Sequence, residues 1–426
     1  MHLGDGMRRN LSRYPLRLAL GRELYFRRFL IAPSLMNAIE RTLDELPGTT
    51  ADGLYEQAYA LRMGEGVRVN FRSAHRFFML AALMGKRAAF YQLGMMNLRG
   101  EGRPVDKQQA AMWLKLGVGR DEPRAARNLE MVASELTRSQ LKASFLIAED
   151  FPHTAKWFAK ALGDTDPDAL AAIGEAFAVG RGVDRDPEMA SEWYRRALRF
   201  SHPRAQTLLG LAYINGDGVE RNREEGLRLI KLAADQGYAD AQYELALAWH
   251  SQVSLRTQSI ALFESAAIHG HLRAQVKLGE LYKAGEIGAS AATSGHRSHA
   301  PHLQRAFEWF NKAAEQGDTD AIFELGQMHA QGLGKKQDFE QAAECYREAA
   351  SRGHAKAAFN LGFLCAHGQG VDQDDAKAYQ WYRISQLQGY AHAKQSAALA
   401  AKRLSAEEKE LADWRVDSFL IQISPE

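Results

Sequence analysis

The stretch Ile173-Gly-Glu-Ala-Phe-Ala-Val-Gly-Arg-Gly-Val183 decides how this chain folds, because it returns 36 residues later as Leu209-Gly-Leu-Ala-Tyr-Ile-Asn-Gly-Asp-Gly-Val219. Both copies join an apolar residue and a glycine to an aromatic residue and a Gly-x-Gly-Val turn. A fixed period of this length is typical of a repeat array, in which each unit covers its apolar face only against its neighbours. Further copies are found at Leu93-Gly94, Leu245-Ala246, Leu278-Gly279, Leu325-Gly326 and Leu361-Gly362.

A second pattern follows each turn and completes the unit. Asp186 precedes Pro187, and this order is typical of a helix N-cap followed by the first helical residue. Apolar residues then recur at the spacing of one helix face. Gly317 closes a later copy after an alanine-rich turn, where a left-handed residue is expected. One unit is therefore predicted to be two antiparallel helices. The tryptophans of the second helix, which we assign to the core, are Trp193, Trp309 and Trp381.

The recurring positions resemble the Sel1-like repeat, a relative of the tetratricopeptide repeat. They are the Leu-Gly pair, the aromatic residue three positions later, the Gly-x-Gly-Val turn, the Trp-Tyr pair and the closing Ala-Ala-x-x-Gly. The resemblance covers roughly residues 54–126 and 168–400. It implies an all-α fold, an α/α right-handed superhelical solenoid whose concave surface serves as an adaptor or scaffold. It does not identify a partner.

Two similar polar stretches suggest where repeat blocks end. Leu136-Thr-Arg-Ser-Gln-Leu-Lys142 and Leu404-Ser-Ala-Glu-Glu-Lys-Glu410 are each typical of a capping helix, with Thr137 or Ser405 as N-cap. We expect a basic N-terminal helical segment at 1–50, a first repeat block with its closing helix at 51–163, a second block at 164–403, and a C-terminal capping helix and tail at 404–426. One continuous superhelix with an irregular middle is the alternative.

Two neighbouring units depart from the common period. Leu245 to Leu278 spans 33 residues, and His250-Ser-Gln-Val-Ser-Leu-Arg256 replaces its Gly-x-Gly-Val turn. Leu278 to Leu325 spans 47 residues, with the added residues near 286–302. We expect a loop there, which is either a tolerated insertion or part of a functional face.

Composition and charge exclude several classes of protein. The net charge of +2 and the pI of about 8.4 give no bulk argument for a nucleic-acid partner. The two cysteines, Cys345 and Cys365, exclude a disulfide framework. Two buried free thiols would fit a reducing, cytoplasmic compartment, and one bridge between them is the alternative. The longest uncharged run near the N-terminus, Phe29 to Ile39, is shorter than the roughly 20 residues of a membrane span.

The first 50 residues lie outside the repeats. Residues 1–30 carry seven arginines interleaved with leucines and phenylalanines. A basic amphipathic surface of this kind makes weak contact with an anionic membrane or with an acidic partner. The alternative is a basic helix that caps the first repeat and buries its apolar side.

Motifs for catalysis and metal binding are weak throughout the chain. Gly332-Leu-Gly-Lys335 lacks the spacing of a phosphate-binding loop, and it falls where the repeat requires its turn. His296, His299 and His302 are spaced by three, but the glycine, serine and proline around them favour a loop over a metal site. Cys345 stands where other units have tryptophan, so we expect it in the core. We therefore expect no enzyme, no cofactor, no metal and no small-molecule substrate.

Binding of another protein or a peptide is the function that remains. In tetratricopeptide-like units the first helix lines the concave surface, through the position two before leucine, one after glycine and four after glycine. The candidate partner-binding residues on this basis are Tyr243, His250, Phe323, Gln327, Phe359 and Phe363. Their alternative is packing between helices. A membrane-associated or cell-envelope assembly or regulatory factor, recruited by the arginine-rich segment, is the second functional hypothesis.

Overall fold

The computed structural model describes residues 50–162, 165–287 and 300–423. Every regular element in these ranges is helical, which confirms the predicted all-α class. A short 3-10 turn, Val253–Leu255, accompanies the α-helices. These are α1 Ala51–Met63, α2 Phe71–Leu83, α3 Arg87–Arg99, α4 Lys107–Val118, α5 Ala125–Glu135, α6 Arg138–Ala161, α7 Pro167–Val179, α8 Pro187–Leu198, α9 Pro203–Asn215, α10 Arg223–Asp235, α11 Ala239–His250, α12 Arg256–Ile268, α13 Leu272–Lys283, α14 Pro301–Glu315, α15 Thr319–Gln331, α16 Phe339–Ser351, α17 Ala355–His367, α18 Asp375–Leu387, α19 Ala393–Ala401 and α20 Ala406–Ile423.

The helices pack as consecutive pairs, of which α7 and α8 are representative. The Asp186 side chain accepts a hydrogen bond of 3.1 Å from the Met189 amide, so it is the predicted N-cap of α8. A Cβ at Gly174 would lie 2.5 Å from the ring of Tyr194. The glycine of the Leu-Gly pair is therefore required because the second helix of the same unit lies against it.

The second glycine of the Gly-x-Gly turn joins one unit to the preceding one. Gly182 has φ +68°, and a Cβ there would lie 2.6 Å from the Phe151 backbone in α6. Any side chain at Gly182 would be strained by the left-handed backbone and would also collide with a neighbouring helix. The same packing recurs at Gly102, Gly218, Gly334 and Gly370.

Helix α6 belongs to two units at once. Thr137 and Gln140 form a capping box at its start, which confirms the predicted N-cap. Pro152 lies inside the helix without ending it. The residues from Phe151 to Ala161 act as the second helix that precedes α7, because Gly182 packs on Phe151 and the Phe158 ring lies 5.7 Å from that of Trp193.

The chain separates into two compact units, divided between Leu232 and Ala233. In the first unit one apolar core extends from Leu54 to Leu229 and passes through Phe151. The segment boundary that the sequence predicts at 163–164 lies outside the described residues and stays a prediction. The arginine-rich segment also lies outside them.

In the second unit one core extends from Ala246 to Leu333 and another from Ile322 to Val416. Helix α14 begins at Pro301, so the prediction of a loop through His302 was wrong at its end. Proline fits the first helical position because it needs no amide partner there.

The predicted closing helix is present, and two of the three tryptophans assigned to the core are buried. Ser405 and Glu408 exchange hydrogen bonds at the start of α20, which confirms the predicted N-cap. Trp193 and Trp309 are buried, as predicted. Trp381 is half-buried, and its ring packs 5.4 Å from that of Phe419 in α20. The assignment of Trp381 to the core is therefore corrected to a position at its edge.

Candidate functional site

A row of side chains at one repeat position of the first helices in the second unit is exposed or, at Gln327, half-buried. Each member follows the glycine of the Leu-Gly pair or its equivalent. We call this row the first-helix face, and its residues are Leu247, Glu280, Gln327, Phe363 and Leu399. Leu399 belongs to it because Ala393, Ala397 and Ala400 are buried as Ala357, Leu361 and Leu364 are, 36 residues earlier.

Three side chains of this face are large and apolar, yet they are exposed. Phe363 is 43 % exposed and Leu247 is 40 % exposed. Leu399 is 55 % exposed. Because 40 % or more of each side chain is open to solvent, the packing of the fold does not require an apolar residue at these three positions.

The aromatic residue two positions before the leucine is covered by the following unit. Phe323 is only 7 % exposed, and its ring stacks 4.2 Å from that of His354, the N-cap residue of α17. Tyr243 lies 4.6 Å from His271 in the same way, at the start of α13. The structure therefore places these two predicted binding residues between units.

Phe359 shows the same packing one unit later. Its ring lies 5.3 Å from that of Tyr382 and 5.2 Å from that of Tyr390. Phe363 lies one helical turn further on, and its ring is 4.1 Å from that of His367. Within the described residues this is its one contact with another ring. Of the four predicted aromatic residues, Phe363 is exposed, Tyr243 and Phe359 are half-buried, and Phe323 is buried.

The remaining two predicted residues are held by polar contacts. Gln327 accepts a hydrogen bond of 3.0 Å from Lys283, which is also paired with Glu324. His250 lies 3.3 Å from the Ser259 hydroxyl and 3.6 Å from Glu286. Both side chains are half-buried. Gln327 is a polar member of the first-helix face, whereas His250 lies outside it, at the end of α11.

A histidine clasp joins successive first helices, and sequence reasoning missed it. The Nδ1 atom of His354 accepts a hydrogen bond of 3.0 Å from the Ala357 amide, and its Nε2 atom lies 3.4 Å from Asp320 on α15. His271 makes the equivalent contacts with Ala274 and Asp240. The signal was available, because each histidine directly precedes a first helix and each aspartate is the second residue of the previous one.

Burial shifts the pKa of three groups on or next to the first helices of the second unit. Burial lowers the pKa of His271 and of His354, although the neighbouring aspartates oppose the shift. Burial raises the pKa of Glu244 on α11, against the opposing charge of Arg273. The surface next to Leu247 therefore includes a carboxyl group that is easier to protonate than usual.

A buried polar cluster in the first unit is the largest feature that the sequence did not predict. The Asp184 carboxylate accepts hydrogen bonds from Trp113 at 2.8 Å and Asn97 at 3.2 Å, and lies 2.8 Å from His75. Burial alone would raise the pKa of Asp184, but the hydrogen bond and charge of His75 bring it below its usual range. Asp184, His75, Asn97 and Trp113 are all buried, so the cluster joins α2, α3 and α4 to the turn after α7 inside the first unit.

Small-molecule and metal sites are weakly supported in the described residues. A cleft between α8 and α9 has a volume of about 130 Å³, well below the roughly 300 Å³ of common ligand pockets. Arg185 and Asp217 lie 3.5 Å apart at its rim. No group of three possible metal ligands occurs within the described ranges.

Burial raises the pKa of the Cys345 thiol to about 11. His296 and His299 lie outside the described residues.

A protein-family model for the Sel1 repeat matches eight segments that together make up more than half of the chain. They are residues 51–86, 88–118, 167–199, 203–238, 239–271, 303–318, 319–354 and 355–390. An uncharacterized Sel1-like repeat-containing protein of Schizosaccharomyces pombe is 44 % identical over 43 residues, which are 10 % of this chain and only 6 % of that protein.

Two solved structures illustrate the similarity at low sequence identity. A protective antigen of uropathogenic Escherichia coli with an SLR fold is 22 % identical and covers 91 % of this chain and 95 % of its own, with a TM-score of 0.41. A Sel1 repeat protein from Oxalobacter formigenes is 29 % identical and covers 52 % of this chain and 88 % of its own, with a TM-score of 0.45.

Proposed function

The chain belongs to the Sel1 repeat family, and from that premise we propose that it is a non-catalytic scaffold that holds a protein or peptide partner on its first-helix face. Sel1 repeats commonly mediate contacts between proteins, and proteins built from them are generally not catalytic. The finer assignment, to one face and to named residues, is our own.

The exposure of Leu247, Phe363 and Leu399 at one repeat position carries the proposal. An apolar side chain that contributes nothing to the core costs solubility and is commonly retained where a partner covers it. The neighbouring aromatics, Phe323 above all, support the helices that present this position. The first-helix face therefore combines rigid backbone with exposed apolar anchors, as partner-binding surfaces do.

The membrane-associated alternative has no comparable support. It depends on residues 1–50, of which the structure describes only Thr50. No described helix combines the length and the apolar character that crossing a bilayer requires.

Affinity capture with matched variants tests the scaffold. We expect the double variant Leu247→Ala, Phe363→Ala to lose bound proteins that the unaltered chain captures, with an unchanged circular dichroism spectrum. The control is Val253→Ala, since Val253 is exposed but lies outside the first-helix face. Equal capture by both variants would remove the face from the proposal.

A further inference from the structure

The C-terminal end of the first-helix face is apolar and carries no acidic side chain. Phe363 on α17 and Leu399 on α19 occupy equivalent positions in successive units. Neither helix contains an aspartate or a glutamate, whereas Lys356 on α17 and Lys402 at the end of α19 are exposed. Lys356 is seven residues before Phe363. Lys402 is three residues after Leu399, so helical spacing places each lysine on the side of the apolar residue. Arg403, just after α19, is paired with Asp375 at 3.1 Å. Because Arg403 is neutralised by Asp375, the basic surroundings of Phe363 and Leu399 are the two exposed lysines, Lys356 and Lys402.

Helix α20, at the C-terminal end of the same unit, has exposed apolar residues in acidic rather than basic surroundings. It buries Ala412 and Val416 and leaves Leu411, Trp414 and Ile421 exposed, by 50, 66 and 76 %. These three side chains lie at spacings of three and seven, so they form one stripe on the outer side of the helix. Because Trp414 is exposed, the packing of α20 against its own unit does not require a tryptophan at this position.

Acidic residues flank this stripe. Helix α20 contains five acidic and only two basic residues. Of these, Asp413 is occupied, because it accepts a hydrogen bond of 2.7 Å from Tyr379. Glu407, Glu410 and Asp417 are exposed, and helical spacing places them on the same side as Trp414.

We propose that α20 of one copy of this chain docks, through Leu411, Trp414 and Ile421, onto the Phe363–Leu399 end of the first-helix face of a second copy. The inference rests on the proposed function, because it uses the same face and names an occupant for it. An amphipathic helix lying against an apolar surface is a common recognition mode. The acidic flanks of α20 complement the basic surroundings of Phe363, which favours this orientation and makes the contact weaken with salt.

Sedimentation equilibrium of the full chain, at low and at high salt, tests the contact. We expect concentration-dependent self-association that weakens at high salt. Trp414→Ala and Phe363→Ala should each weaken it by about 30-fold, the effect of losing a central anchor. Ile268→Ala, at an exposed apolar residue of α12 outside both surfaces, should leave it unchanged.

Mixing two charged variants gives an independent measurement. Phe363→Glu blocks the receiving surface and Trp414→Glu blocks the docking helix, so neither variant should self-associate. Their equimolar mixture retains one intact surface of each kind, and we expect it to form pairs. Association of the mixture would support the contact, whereas failure to pair would overturn it.

The outcomes separate this inference from the scaffold function. A chain that stays monomeric, or one that self-associates equally well with all substitutions, overturns the α20 contact. If partner capture is lost with Phe363→Ala while the chain is monomeric, the scaffold stands and only the occupant is wrong. If neither self-association nor capture responds to Phe363→Ala, both proposals fail.

Discussion

The indole nitrogen of Trp113 donates a hydrogen bond of 2.8 Å to the carboxylate of Asp184, although 71 residues separate them. Asp184 lies in the Gly-x-Gly turn after α7, and Trp113 lies in α4. The bond therefore ties the turn of a later unit to a helix near the start of the repeats. Both side chains are buried, so the carboxylate receives these donors in place of water.

Removing this carboxylate is expected to destabilise the first unit strongly. Asp184→Ala leaves His75 and the Trp113 indole buried without their acceptor, and we expect a loss of about 3–5 kcal/mol in the free energy of unfolding. Urea unfolding followed by tryptophan fluorescence measures it. Asp217→Ala, at a largely exposed carboxylate in the equivalent region of the next turn, should change stability by less than about 0.5 kcal/mol. Similar losses for both variants would contradict a special role for Asp184.

Two glycines distinguish the cost of a collision with the preceding unit from the cost of a left-handed backbone. Gly370 and Gly353 both have positive φ, 66° and 89°. A Cβ at Gly370 would collide with the Phe339 backbone, whereas one at Gly353 would meet nothing within 4 Å. We expect Gly353→Ala to cost about 1–2 kcal/mol and Gly370→Ala at least about 2 kcal/mol more. Chemical denaturation compares them, and equal costs would show that the collision is relieved by movement.

Replacing each of two phenylalanines of the second unit by alanine should have a different effect, one on stability and the other on partner capture. Phe323→Ala removes a ring packed between His354 and Tyr346, so we expect it to cost about 3–5 kcal/mol of stability. Phe363→Ala should cost less than about 1 kcal/mol, because the side chain is exposed, yet it should reduce partner capture. Thermal unfolding and affinity capture measure the two effects. A stable Phe323→Ala variant that loses capture would instead place Phe323 in the binding face.

The histidine clasp predicts loss of stability in mild acid. A protonated His354 cannot accept the hydrogen bond from the Ala357 amide, and burial already lowers the pKa of this side chain, although Asp320 opposes the shift. The folded state therefore binds fewer protons than the unfolded state. Its stabilisation is complete above the ordinary pKa of about 6.5 and is lost as the pH falls through the lower folded pKa.

The matched variants of His354 keep the cap or leave it untouched. His354→Asn retains an N-cap acceptor at every pH, so we expect the pH dependence of unfolding between about pH 7 and 5 to become shallower by about 1 kcal/mol. His367→Asn is the control, because His367 is exposed and its Nδ1 donates to the Phe363 carbonyl at 2.8 Å, a bond that protonation of the ring does not break. An unchanged pH profile in His354→Asn would show that the cap does not sense protons.

Much of the fold was predictable because its determinants are local. The N-cap at Asp186, the capping box at Thr137 and the left-handed Gly317 each depend on a few adjacent residues, and all three are confirmed. The candidate face was less predictable. Phe323 and Phe363 are aromatic residues at different repeat positions of their first helices, and the sequence assigned both positions to the binding surface. Only the packing of the next unit shows that the position of Phe323 is covered and that of Phe363 is exposed.

The sequence by itself determined the repeat, its helix pairs, its turns and the family, because a period near 36 residues with fixed glycines permits few other arrangements. The tertiary structure decided which turn reaches which helix. It placed Asp184 beside Trp113, made the end of α6 serve the following unit, and set His354 over Phe323. These contacts join residues from different units, and their energies depend on burial and distance, which the order of residues does not specify.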